Sequence, residues 1–326
     1  MKVLGLGNAL VDVLVKLESE TYLEKMNLPK GSMQLIDEDR LMKILDTIRD
    51  FDSVRATGGS ASNAVCGIAR LGIPAGFIGS IGQDFYGSFY KEDLQRNGVE
   101  PILHENDLTS GCAMTMITPD GERTFGTYLG AAADLKIENI KREVFLRYNY
   151  LFIEGYLVQS PEFILSTVKM AKSCGCKVVL DLASYNIVAA NRDLFKELLK
   201  NTDIVFANEE ESFAFTGMEP KDACLELAKY CEIAVVKIGA KGSYIANKEE
   251  IVLARATKVP CVDTTGAGDL YAAGFLYGLA KGLPLITCGE IGALVSGQVI
   301  QIIGTKMNNR TWEQIKKSIA TMTSKL

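Results

Sequence analysis

Short apolar runs of β type alternate with amphipathic helical runs along most of the chain, and this alternation limits the possible folds more than any other feature. Residues 62–71 (SNAVCGIARL) carry apolar positions at helical spacing, with Gly72 just beyond as a stop. Residues 75–81 read as a short apolar strand, and 87–97 as a charged helix closed by Gly98. Further strands are expected at 151–158, 178–182, 204–207 and 233–238, and helices at 161–173, 192–200 and 222–230. Strands separated by helices pair in parallel, so the pattern predicts an α/β fold: a doubly wound, mostly parallel central sheet with helices on both faces.

Two regions break the alternation. From Gly111 to Leu129 the order is strand, turn, strand, with Pro119-Asp120-Gly121 in the turn, which is a hairpin signal. From about Val11 to Ile36, VDVLVKL and SMQLI are strand candidates. Paired together, these segments would form a small β-sheet lid over a cleft. Length alone allows about two domain-sized units, or one large α/β domain with an insertion.

Hydrophobic residues make up 48% and charged residues 23% of the chain, enough for a sizeable core and against disorder. The net charge of −5 argues against nucleic acid, which favours a basic face. No stretch reaches about 18 uninterrupted apolar residues, so no membrane span is expected. The start, MKVLGLGNALVD, reads as a strand entering a turn rather than a signal peptide. The eight cysteines contain no CxxC pair, which fits reduced thiols packed as small hydrophobes in a cytoplasmic protein. The single histidine, His104, excludes a Ser-His-Asp triad, an HExxH zinc site and any multi-histidine metal centre.

The strongest chemical signal is Asp263-Thr264-Thr265-Gly266-Ala267-Gly268-Asp269, set between an extended run and the apolar helix that follows. Small residues at a helix N-terminus let phosphate oxygens approach backbone N–H groups, and the helix dipole favours their charge. Asp269, in the first turn beside that anion site, can accept the proton of an attacking hydroxyl. A plain capped turn would explain a shorter Gly-x-Gly-Asp equally well, but not the whole string in this setting. No Walker A GxxxxGK[ST] occurs, and Leu10 stands where a Rossmann GxGxxG needs its third glycine.

DTTGAGD resembles the second signature of the PfkB, or ribokinase-like, family of carbohydrate and nucleoside kinases, and the resemblance spans essentially the whole chain. Gly7-Asn8-Ala9-Leu10-Val11-Asp12 is similar to the family's N-terminal motif, and Gly58-Gly59-Ser60-Ala61-Ser62-Asn63 to its GG-x-x-x-N. Gly79-Ser80-Ile81-Gly82-Gln83-Asp84 is similar to its first signature. Asn208-Glu209-Glu210-Glu211 is similar to its N-x-x-E, and Lys237-Ile238-Gly239-Ala240-Lys241-Gly242 to the K-x-G-x-x-G of its ATP side.

The resemblance implies a ribokinase-like fold in one domain over 1–326, with lid segments at approximately 11–36 and 99–130, and an ATP-dependent kinase acting on a hydroxyl group. Asp269 would be the base, and Gly266, Ala267 and Gly268 the anion-binding loop. Asn8, Asp12, Gly58, Gly59 and Asn63 would hold the acceptor, with Arg123 closing over the transferred phosphate. ATP would lie toward Asn208, Lys237, Gly239, Gly242 and Thr264. Glu211 would hold magnesium through water, and a potassium activator would lie near Asp263 and Thr265. The partner implied is a small-molecule nucleoside or sugar, bound to a monomer or homodimer. Read as residues alone, most of these motifs have plainer explanations: Asn8 and Asp12 as turn formers, Gly58-Gly59 as a flexible turn, Glu209 to Glu211 as a solvated charge run, Gly239 and Gly242 as a β-turn.

GNALVD with the following ETYLEKMNLPKGSMQLID, and LFIEGYLVQSPE, resemble the adenosine-kinase branch of the family. The second makes Tyr156 the candidate for stacking on a base, although the branch's two consecutive aromatics are reduced here to Tyr156-Leu157. Adenosine, phosphorylated at its 5′-hydroxyl, is the expected acceptor. A kinase for ribose, fructose or a keto-deoxy sugar is the alternative within the class, and a non-catalytic nucleoside- or sugar-binding regulator is the alternative outside it.

Overall fold

The computed structural model describes residues 1–324. Among these the strands are β1 (Val3–Leu6), β2 (Leu10–Lys16), β3 (Met33–Leu35), β4 (Ser53–Thr57), β5 (Ala75–Gly82), β6 (Val99–Asn106), β7 (Gly111–Ile117), β8 (Arg123–Tyr128), β9 (Tyr150–Glu154), β10 (Lys177–Asp181), β11 (Ile204–Asn208), β12 (Ile233–Lys237), β13 (Ser243–Ala246) and β14 (Ile251–Ala254). The larger sheet has the order β14-β13-β12-β11-β10-β9-β1-β5-β6. Its strands are parallel except at β12–β13 and β13–β14. This is the doubly wound α/β architecture that the alternation predicts, and the ribokinase-like fold that the resemblance implies.

Burial on both faces explains the apolar runs. Every residue of β1 and β5 is buried. Phe77, Phe206 and Phe275 lie in the core on one side of the sheet, and Phe145, Phe195 and Leu180 in the core on the other. The strand order reverses at β1, which pairs with β5 on one side and β9 on the other. In an open parallel sheet such a reversal leaves a crevice at the carboxyl ends of the strands. Asn8, Glu154, Asp181, Asn208 and Lys237 all stand at those ends.

The smaller sheet has the order β3-β8-β7-β2-β4. Val11, Val13 and Val15 of β2, with Met114 and Met116 of β7, bury one face against Leu23, Leu41 and Ile44 from the lid's own helices. The opposite face carries Asp12 and Leu14, and by register Ala113, Thr115, Arg123 and Phe125. The lid segments differ from expectation in two places. Val99–Asn106, assigned by sequence to the lid, is the edge strand of the central sheet, paired in parallel with β5. Ser53–Thr57, not expected to be a strand, pairs antiparallel with β2 and closes the lid's edge.

Phe275, in the helix Ala267–Ala280, stands edge-on to Phe206 at 5.4 Å and stacks on Tyr271. Phe275→Ala should cost ~3–5 kcal/mol of unfolding free energy, the usual loss for a fully buried aromatic. Denaturant unfolding measures it, and a loss below ~1 kcal/mol would show that this aromatic cluster does not anchor the helix.

Candidate active site

At the crevice floor the chain leaves β1 through Gly7 and Asn8. Glu154, at the end of β9, is almost wholly buried and accepts three hydrogen bonds: Asn8 N (2.8 Å), Asn8 Nδ2 (2.8 Å) and Ala61 N (3.0 Å). Burial pushes its carboxyl up to about 7 against the pull of those donors, with the Asp269 charge adding to the rise. Its neighbours must be small, because a Cβ on Gly7 would stand 2.4 Å from Glu154 Oε2. Gly59 is the N-cap of the helix Ser60–Arg70, with φ of 86°, and a Cβ there would meet the Asn8 carbonyl at 2.4 Å. Gly58 leaves room for Asp12, whose Oδ1 would be 2.1 Å from a Cβ on it. The paired glycines are thus demanded by close approach rather than by flexibility.

Asp12 faces the cleft from the lid, and among the described residues no protein group donates a hydrogen bond to its carboxylate. Burial pushes it up to about 7; Lys306 pulls it down and Asp269 adds to the rise. Asn63 donates to Asp269 Oδ2 (3.0 Å) and accepts from Thr305 Oγ1 (3.1 Å). Asn8 spends one amide N–H on Glu154, so its second N–H and its side-chain oxygen are left for a ligand.

The helix Ala267–Ala280 begins at Gly266, which is left-handed with φ of 72°. Among the described residues the backbone N–H groups of Gly268 and Asp269 bond to no protein acceptor, the usual state of a helix's first turn. Lys237 Nζ would be 2.9 Å from a Cβ on Gly268, so a fixed positive charge stands over these amides. Asp269 accepts from Ser60 Oγ at 2.7 Å as well as from Asn63. Burial pushes it up to about 6, and Asp181 works in the same direction; Ser60, Asn63 and Lys237 oppose. A carboxylate oriented by two donors and poised near neutrality is suited to general-base work.

On the other side of the helix N-terminus, Asn208 and Glu211 form a reciprocal capping box, with three contacts of 2.8 Å. Burial raises Glu211 to about 7, with Asp181 adding to the rise and Lys237 opposing. Lys237 donates to Asp181 Oδ2 at 3.1 Å. Burial would lower this lysine, but Asp181 and Glu211 outweigh it and hold the ammonium charged. Thr264 is exposed at the mouth. Gly242 is required by the turn itself, since a Cβ there would strike the Ala254 carbonyl at 1.9 Å, whereas Gly239 meets nothing. Tyr156, half-buried in the turn Gly155–Gln159, lies on the crevice floor and not on the lid. Burial pushes its phenol up to about 12, with Glu154, Asp181, Asp269 and Glu211 as further causes.

Magnesium and potassium fare differently. No group of three acidic, histidine or cysteine side chains among the described residues could cage a metal, so magnesium would be held by phosphate and water, with Glu211 and Asp181 at hand. Asp263 and Thr265, expected near a potassium ion, do not fit one on this carboxylate. Asp263 already accepts Arg123 Nη1 (2.8 Å), Thr265 N (3.0 Å) and Thr265 Oγ1 (2.8 Å) on one oxygen and Gly304 N (2.7 Å) on the other. Three donors crowd one oxygen and a backbone amide takes the other, and the guanidinium would repel a cation there. Those donors, working against burial, hold Asp263 down at about 2. Arg123, expected over the phosphate, is here the bond between lid and loop.

Sequence reasoning brought together Asp12, Asn63, Asp269, Lys237 and Glu211, and missed Ser60, Glu154, Asp181, Thr305 and Lys306. Glu154 and Asp181 did leave a trace: each is an acid closing an otherwise apolar strand.

The family model for pfkB family carbohydrate kinases matches residues 33–312. This chain belongs to that family. Its fold agrees with membership, and the chain is an ATP-dependent phosphotransferase acting on an alcohol group. Among curated relatives, a 5-dehydro-2-deoxygluconokinase of Bacillus subtilis is 30% identical, over 80% of this chain and 86% of its own length. Adenosine kinase 1 of Arabidopsis thaliana is 27% identical, over 92% of this chain and 94% of its own. Among solved structures, the adenosine kinase of Sinorhizobium meliloti superposes with a TM-score of 0.85 at 33% identity, covering 97% of this chain and 99% of that one. No helix among the described residues is long and apolar enough to cross a membrane.

For a PfkB kinase built this way, Asp269→Asn should lower kcat by ~10²–10⁴-fold, the usual loss for a general base. Wild-type kcat/KM should fall on acidification from about 7 to about 6, as Asp12 and then Asp269 take up protons. A variant keeping more than about half of wild-type kcat would remove Asp269 from the reaction.

Proposed function

We propose that the acceptor is a nucleoside, with adenosine the first candidate, phosphorylated at its primary 5′-hydroxyl with ATP and magnesium as donor. The observation that carries this reading is the lid face that looks onto Asp269. Beside the Asp12 carboxylate it presents Leu14, Ala113 and Phe125, more apolar surface than a sugar ring needs and well suited to a heterocyclic base. Asp12 accepts from ribose hydroxyls and Asn63 completes the polar end. The 5′-oxygen attacks the γ-phosphorus, its proton passes to Asp269, and the bond from phosphorus to the bridging oxygen of ADP breaks. Lys237 and the first-turn amides of Gly268 and Asp269 receive the charge on the transferred group. Magnesium neutralises charge on the β- and γ-phosphates. Potassium has no part in this reading. Use of ATP fits a cytoplasmic enzyme.

A sugar or sugar-acid acceptor is the second reading, favoured by the 30% identity to the 5-dehydro-2-deoxygluconokinase. A binding protein without activity is disfavoured by the two donors that aim Asp269.

An ADP-release assay over nucleosides, ribose, fructose and keto-deoxy sugars separates the readings. The nucleoside reading expects adenosine to show the highest kcat/KM, and excess EDTA to abolish turnover. Tyr156→Ala should raise the nucleoside KM by an amount equivalent to ~1–3 kcal/mol of stacking, and leave ribose nearly unaffected. A sugar turned over faster than every nucleoside would defeat this acceptor and leave the kinase chemistry intact.

A further inference from the structure

We propose that Lys306 is a positioning residue for the acceptor, supplying from behind the Gly58–Gly59 turn the positive field in which Asp12 binds hydroxyls. The inference rests on the placing of the acceptor at Asp12. The geometry begins with three consecutive residues that follow the helix Leu285–Val299. Gly304 N donates to Asp263, Thr305 Oγ1 donates to Asn63, and Lys306 Nζ donates to Thr57 Oγ1. One short strap therefore reaches the phosphate loop, the acceptor amide and the end of β4.

Lys306 is fixed at its end of the strap. Its ammonium lies 3.4 Å from Asp93 Oδ2, and Thr57 Oγ1 donates to that same oxygen at 2.7 Å. Thr57 is fully buried and immediately precedes Gly58, over which the Asp12 carboxylate lies. The charge is thus held behind the glycine turn while Asp12 occupies its front. Lys306 is the cation that lowers Asp12, and Asp269 acts on it with the opposite sign. The remaining titratable groups that sense Asp12 are Tyr90 of the helix Phe85–Arg96 and Cys112 of β7. Lys306 in turn faces Asp93 and Cys66.

An ionised carboxylate accepts from two hydroxyls through charge-assisted bonds, whereas protonation turns one oxygen into a donor and weakens the other as an acceptor, so acceptor binding follows the charge on Asp12. With Asp12 at about 7, losing the ammonium moves its titration to higher pH. Losing Asp93, the counter-charge 3.4 Å from that ammonium, leaves the ammonium's field unopposed and moves the titration to lower pH. A purely structural role would make both substitutions damaging without opposite shifts.

The test is the acceptor Kd without ATP, by calorimetry from roughly pH 5.5 to 8.5, using adenosine or whichever compound of the panel is turned over. K306M should weaken binding about fivefold at pH 7 and shift the acidic limb upward, as a shift of about one unit requires. Lys306→Arg should restore the limb, and Asp93→Asn should shift it downward. In an Asp12→Asn background K306M should have no effect. If Lys306→Met fails to fold, the direction of the Asp93→Asn shift still decides. An unchanged limb in either variant, or shifts of the same sign, overturns the inference. An Asp12→Ala variant with unchanged Kd overturns instead the placing of the acceptor, and the inference falls with it.

Discussion

The buried carboxylate of Glu154 is the contact on which the site depends. It joins three parts of the chain that share no local sequence: the end of β9, the turn after β1 and the first turn of the helix Ser60–Arg70. A carboxylate is an unusual choice for a dry floor, since desolvation penalises its charge. It is retained because its two oxygens satisfy two backbone amides and one side-chain amide that would otherwise be buried without partners. A glutamine would turn one oxygen into a donor facing a donor. The cluster also fixes the geometry above it. Gly7 and Gly59 must be glycine because Glu154 and Asn8 leave no room, and Ser60 and Asn63, on the helix so capped, hold the base.

Charge distribution shows how the crevice is divided. Asp12, Glu154, Glu211 and Asp269 are all raised to between about 6 and about 7, each chiefly by burial. So many acids in one cleft need cations, and the chain supplies two of its own at opposite ends. Lys237 lies among Asp181, Glu211 and Asp269, the side to which the proposed reading assigns the phosphates. Lys306 acts on Asp12, the side to which that reading assigns the acceptor. Arg123 is kept out of this balance by Asp263 and ties the lid to the phosphate loop. The lid is thus fastened at the Asp263 loop, and the apolar residues Leu14, Ala113 and Phe125 lie on the lid face that carries Asp12.

Much of this was legible in the sequence, for physical reasons that differ by element. The parallel sheet could be read because strands covered on both faces are apolar throughout, as in AGFIGSIG of β5. SVRAT of β4 could not: it is short, largely exposed and polar at its centre, so nothing but its partner β2 makes it a strand. VEPILHEN of β6 carries a proline and exposed positions suited to an edge, which made it look like lid. In the site, Asp269 and Gly58-Gly59 were visible because each motif is contiguous. Ser60 and Lys306 were not, because their bonds to Asp269 and Thr57 span 209 and 249 residues and leave no local pattern. The ion pair on Asp263, which the resemblance placed near potassium, was hidden for the same reason, since Arg123 reaches it from 140 residues away.

The central claim is that the acceptor hydroxyl meets Asp269 while the transferring group lies on the N-terminus of the helix Ala267–Ala280. A crystal structure with ADP, magnesium, the acceptor and aluminium fluoride would test it most directly. The account predicts the acceptor oxygen within roughly 2.6–3.2 Å of an Asp269 carboxylate oxygen, in line with the fluoride plane, and fluorides on the amides of Gly268 and Asp269 and on Lys237. An acceptor oxygen turned away from Asp269, with that carboxylate still bound only to Ser60 and Asn63, would contradict it.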